Sequence, residues 1–168
     1  MLHPDFVLRN LSKPQKRFLF SFLLCLTVGY FTGLSFVNHT ESTTPKGIIE
    51  NYNGNEESVE EIQTLKFKKG EREMLTIIHT HILSLSFVFI LLGILVWATQ
   101  APIWLKTFLS IEPFISVLTT FGGIYALWKG YSFFSYIVMI SGMLMTLSYT
   151  VGAALVLHAL FSKPIITE

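Results

Sequence analysis

The chain has 168 residues, 51% of them hydrophobic and 14% charged, with a formal net charge of +1. Soluble domains usually carry about 25% charged residues, so this composition excludes a chain that is mostly soluble mass. The near-neutral balance offers no basic field for nucleic acid. A single cysteine, Cys25, excludes an internal disulfide, a CxxC redox pair and a Cys-based zinc site.

Residues 1–17 form a polar, basic leader in which Arg9, Lys13, Lys16 and Arg17 outweigh Asp5. The apolar run that follows, 18–37, is longer than the core of a signal peptide. Phe36, Val37 and Asn38 stand where a small-x-small cleavage site would be needed, so the run is expected to stay attached as the first membrane span. Within it Cys25, Gly29 and Gly33 recur every four residues. This small-residue row is the kind that lets another helix approach closely.

Residues 38–73 make the one substantial polar segment, an extended loop between spans one and two in which eight glutamates face five basic residues. The turn dipeptide Asn53-Gly54 lies between Gly47–Tyr52 and Thr64–Phe67, a pattern that predicts a small hairpin or two short strands on the membrane surface. The acidic run 56–61 reads as a solvated loop, since the glycine and ligand spacing of a calcium loop are missing. Asn38-His39-Thr40 matches a glycosylation sequon but abuts the span, and it is treated as chance.

The second span, 74–98, is a mostly apolar run whose ionisable residues are His79 and His81. About 20 apolar residues at 1.5 Å per residue cross the ~30 Å hydrocarbon layer, and ionisable groups within such a run are default functional candidates. At ~100° per residue His79, Ser86, Gly93 and Trp97 share a stripe expected to face the bundle, with His81 roughly opposite. An i, i+2 pair on a helix cannot grip one metal as an i, i+4 pair does. Span three, 105–128, carries Glu112-Pro113 and a face of Glu112, Ser116, Thr119, Gly123 and Ala126. A tight return at Lys129-Gly130-Tyr131-Ser132 leads to span four, 133–161, with Ser135, Gly142, Thr146, Tyr149 and Ala153 on one face. The tail, 162–168, opens with Ser162-Lys163-Pro164, a stop in both charge and backbone.

The fold expected is therefore an all-α membrane protein, a four-helix transmembrane bundle held by small and polar stripes that include Cys25, Gly29, Gly33, Ser86, Gly93, Gly123 and Gly142. Four spans put both termini on one side, and the basic leader places that side in the cytoplasm. His39, His79 and His81 then lie toward the outer surface, with Glu112 and His158 toward the inner one.

Three chemistries compete. His79 could bind haem b between helices, but His39, the nearest second axial ligand, is offset by ~7 Å along the axis; two copies of His79 across a dimer axis are the other route. Glu112, if buried without a partner, could carry protons in a proton-coupled carrier. Its place before Pro113 equally suits an interfacial helix start, where proline and an acid are favoured. The third reading, preferred here, is a non-catalytic accessory or scaffold subunit associating with a membrane-protein partner or with itself. The segments Leu65-Lys-Phe-Lys-Lys and Glu71-Arg-Glu-Met-Leu75, followed by His79-Thr-His81, resemble small four-span bacterial inner-membrane proteins without an assigned activity. That resemblance implies a bacterial cytoplasmic membrane and no particular chemistry.

Overall fold

The computed structural model describes residues 7–55 and 65–163. The acidic run 56–61, and Thr64 of the expected second strand, lie outside the described residues. After a 3-10 turn at Leu8–Asn10 come five α-helices: α1 (Lys13–His39), α2 (Pro45–Asn53), α3 (Glu71–Trp97), α4 (Ile103–Trp128) and α5 (Phe134–Phe161). Four of these, α1, α3, α4 and α5, are long and apolar enough to cross a membrane. At 1.5 Å per residue each runs to roughly 40 Å, which covers the hydrocarbon layer and reaches the headgroups on both sides.

The helix starts follow local chemistry. Pro14 occupies the first turn of α1, and the Gln15 side chain accepts from the Ser12 N–H at 3.0 Å. Glu71 and Glu73 sit in the first turn of α3, where the helix dipole favours acids. Pro102 precedes α4. Gly130, at φ +110°, turns the chain between α4 and α5, as the sequence predicts for that return.

The helices run up and down. At the terminal end, the Leu8 N–H donates to the Ala98 carbonyl at 3.1 Å, Leu8 is fully buried, and Phe20 of α1 meets Phe161 of α5 edge-on at 5.7 Å. At the opposite end the Trp128 indole N–H donates to the Lys69 carbonyl at 2.8 Å, and Asn53 Nδ2 donates to the Leu127 carbonyl at 2.9 Å. α4 and α5 form the tightest pair, α3 packs along both, and α1 leans on α5. The core is apolar, built from Phe89, Leu92 and Val96 of α3, Val117, Phe121 and Ile124 of α4, and Val138, Met145 and Val156 of α5.

One local expectation is overturned. Residues 47–52 are not a strand: they belong to α2, and among the described residues no strand forms. The cause is the start signal just upstream. Thr44 accepts from the Gly47 N–H at 3.1 Å and Pro45 takes the first helical position. Gly54 then reverses the chain at φ +81°, and a Cβ there would lie 2.8 Å from backbone atoms of Lys66 and Lys68. The returning chain is tied down by Asn55 N–H to Lys66 O at 3.0 Å and Lys69 N–H to Tyr52 O at 3.1 Å. The described parts of the polar loop are thus a helix and a strap lying across one end of the bundle.

Candidate functional site

The polar groups inside the bundle gather at mid-height. Glu112, half-buried on α4, accepts hydrogen bonds on both carboxylate oxygens: one from Ser116 a turn later on the same helix, one from Ser148 of α5. Both serines are buried. Glu112 is nine residues into α4 and Ser148 thirteen from the end of α5, or about 14 and 20 Å from the terminal end. The acid therefore lies deep in the span, not at its inner edge. Pro113 is not a helix-start proline either. It sits inside α4, buried, where transmembrane packing tolerates a missing backbone donor.

At a similar height a second polar and aromatic layer joins α1 to α5. Tyr149 is fully buried, its ring stacked on Tyr30 with centroids 3.9 Å apart and planes 2° from parallel. Its hydroxyl donates to Thr27 Oγ1 at 3.1 Å, and the Tyr30 hydroxyl donates to Thr146 Oγ1 at 3.4 Å. Phe89 of α3 meets both rings edge-on at 6.3 Å. Higher up, Thr120 of α4 and Ser141 of α5 share a buried hydrogen bond of 2.7 Å. The Ser148, Thr120–Ser141, Tyr149 and Tyr30 hydroxyls thus each close on a neighbouring helix, which is how polar side chains bind transmembrane helices together.

The other predicted residues divide into those inside and those outside. Gly93 meets Ser110 of α4, where a Cβ would stand 3.6 Å from the hydroxyl. At Gly123 an added Cβ would lie 2.9 Å from Val138 of α5, so α4 and α5 approach as closely as this glycine permits. Gly152, which the sequence stripe leaves out, does the same against Leu92 and Val96 of α3. Ser86 is half-buried, and open space surrounds Gly142. Cys25, Gly29 and Gly33 are exposed, with nothing within 4 Å of a Cβ placed on either glycine.

His79, expected to face the bundle, is exposed on α3; His39, at the end of α1, and His158, near the end of α5, are exposed as well. Among the described residues, His81 is the histidine whose ring stacks on another span. Its ring stacks on Phe121 of α4 at 5.0 Å, and its Nδ1 lies 2.7 Å from the Ile77 carbonyl. A carbonyl only accepts, so that nitrogen carries the proton. Among the described residues no three His, Cys, Asp or Glu side chains converge as a metal site.

Sequence reasoning missed Ser148, Thr120, Ser141 and the Tyr30–Tyr149 stack. A signal for the first was available: Ser141, Met145, Ser148 and Gly152 repeat at helical spacing, and all four are buried.

No curated protein and no solved structure matches the chain. Residues 42–165, from just before α2 to the end of α5, match the Aq_1264_TM family, described as a transmembrane helical domain. With four spanning helices in place and well over half of its length matched, the chain belongs to that family of integral, multi-pass membrane proteins.

Proposed function

We propose that the protein is a non-catalytic accessory or scaffold subunit of a membrane complex, with α1 as its docking helix. The observation that carries this reading is the state of α1. Of its residues Leu23 is buried, while the Cys25, Gly29 and Gly33 row points outward into open space. Elsewhere in the bundle, buried glycines such as Gly123 and Gly152 mark close helix contacts; an outward row of the same kind suits a further helix outside the chain. Phe18, Phe31 and Phe36, all exposed on α1, add apolar area to the same helix. The test is the size of the digitonin-solubilised assembly on native gels. Gly29→Leu with Gly33→Leu should shift it to a smaller species, whereas wild type and variant both running as a monomer would end the reading.

The surrounding membrane is the cytoplasmic membrane of a bacterium, and both termini face the cytoplasm. Support comes from the terminal end, where Arg9, Lys13, Lys16 and Arg17 cluster before and at the start of α1, with Lys106 and Lys163 near the same end. At the other end Lys66 is paired with Glu41 at 3.1 Å and Lys69 with Glu73 at 2.7 Å. Lysine and arginine close to the ends of the spans are the residues held on the cytoplasmic side.

A second reading rests on Glu112. A carboxylate deep in a span, bridged to another helix by Ser148, suits a proton-coupled carrier as well as a structural clasp. Proton flux in proteoliposomes that survives Glu112→Gln removes the carrier reading. A haem b on His79 would have to lie on the outer face or between two copies, because the ring is exposed. The scaffold reading expects no Soret band in purified protein, and a band lost in His79→Ala would replace it with a cytochrome.

A further inference from the structure

Where α2 crosses the bundle, it leaves a cavity of about 850 Å³ between itself, the returning strap and the α4–α5 turn. This is within the usual range of ligand pockets. Its position along the bundle is set by its walls: α4 ends at Trp128 and α5 begins at Phe134, so the cavity opens at the headgroup level of the end opposite the termini. Lys46 and Glu50 of α2, Lys68 of the strap, and Ser132, Phe133 and Tyr136 from the turn and start of α5 line it.

The lining has three kinds of chemistry in one place. Lys46 and Lys68 are two cations, and the Lys68 ammonium is held above the Trp128 ring at 5.5 Å from its centroid. Glu50 is one carboxylate, and no ion pair forms to it among the described residues. Phe133 and Tyr136 are large rings at the start of α5, 70% and 53% exposed, and they give the opening an apolar lip. Among the described residues, two cations, one anion and an apolar lip line the opening, a set that matches a ligand carrying a phosphate, a positive group and a hydrocarbon tail. Lysine binds phosphate as a point charge, and a carboxylate binds an ammonium best when that ammonium has N–H groups to donate.

We propose that this cavity binds one phospholipid with a phosphoethanolamine headgroup. Its phosphate sits against Lys46 and Lys68, its primary ammonium against Glu50, and its acyl chains descend past Phe133 and Tyr136. A quaternary ammonium has no N–H to donate to Glu50, so a phosphocholine lipid binds more weakly. A phosphoglycerol lipid, with no cation, leaves Glu50 facing the ligand's negative charge.

The test is native mass spectrometry of the full chain released from vesicles of phosphatidylethanolamine, phosphatidylcholine and phosphatidylglycerol in equal parts, with free phosphoethanolamine as competitor. One phosphatidylethanolamine per chain should be retained, at about tenfold over either other lipid. Lys68→Ala should lower that retention about tenfold. Glu50→Gln should keep a bound lipid but bring the ratio of phosphatidylethanolamine to phosphatidylglycerol near one. Lys106→Ala, at the opposite end of the bundle, should change nothing, and matching melting curves for all variants exclude unfolding. Equal retention of the three lipids by wild type, or Lys68→Ala and Glu50→Gln variants identical to it, would overturn the site. Full displacement by free phosphoethanolamine would assign the cavity to a soluble ligand and overturn the lipid.

Discussion

Removing the Ser148 hydroxyl tests the mid-bundle clasp most sharply, because the structure says what its partner is. Ser148 of α5 donates to one oxygen of Glu112, and Ser116 donates to the other. Hydrogen bonds to charged groups are worth about 1.5–3 kcal/mol in soluble proteins. Polar contacts within membrane bundles average about 0.6 kcal/mol and reach about 1.7. Both serines are buried here, and the acceptor is a carboxylate, so Ser148→Ala should cost about 1–1.5 kcal/mol, toward the upper membrane value. In a Glu112→Leu background the same change should cost almost nothing, since the acceptor has gone. The coupling from the cycle should therefore be about 1 kcal/mol, measured by reversible unfolding in mixed detergent micelles. Thr120→Val supplies the control. It breaks the Thr120–Ser141 bond eight residues along α4, about 12 Å away, and should add to Ser148→Ala within about 0.5 kcal/mol. A coupling below about 0.3 kcal/mol between positions 112 and 148 would show that no clasp joins α4 to α5 there.

Two further expectations follow from packing and from the strap. Gly123→Leu and Gly152→Leu should each destabilise by about 1–3 kcal/mol, since Val138 lies 2.9 Å from the added Cβ at Gly123, and Leu92 and Val96 lie at 3.3 and 3.4 Å from that at Gly152. Gly29→Leu should leave the isolated chain's stability unchanged, so a large loss there would mean that α1 packs inward. Burial pushes the Tyr52 hydroxyl from its ordinary 10 up to about 12, against a smaller opposing hydrogen bond from Asn51. A folded-state value above the unfolded one favours folding below pH 10, and that stability is lost as pH rises from 10 to 12. The loss, of order 2 kcal/mol, should appear in melting curves over that window and be absent in Tyr52→Phe.

The four spans were legible because an apolar run of bilayer length has few other uses, and α1, α3, α4 and α5 stand where those runs do. The faces were harder to read. His79, Ser86 and Gly93 lie seven residues apart, and a straight helix drifts about 20° per heptad. Going back from Gly93, burial falls accordingly: Gly93 is buried, Ser86 half-buried and His79 exposed. In span four the predicted stripe holds at Ser135 and Tyr149, both buried, but it names Gly142, where an added Cβ would meet nothing, and omits Ser141, Ser148 and Gly152, which line contacts with α3 and α4. Depth was misread at Glu112 because Pro113 resembles a first-turn proline. The actual start follows Pro102, ten residues earlier. At α2 the strand pattern of 47–52 competed with the Thr44-Pro45 start signal, and the N-cap won.

Four spans require an even number of crossings, with both chain ends at one face of the membrane. Single cysteines at positions 13, 106, 163, 68 and 129, in a Cys25→Ser background, can be probed with a membrane-impermeant thiol reagent on intact cells and on inverted vesicles. Positions 13, 106 and 163 should react together from the cytoplasmic side, and 68 and 129 together from the other. Labelling of 13 and 163 from opposite sides would contradict this topology.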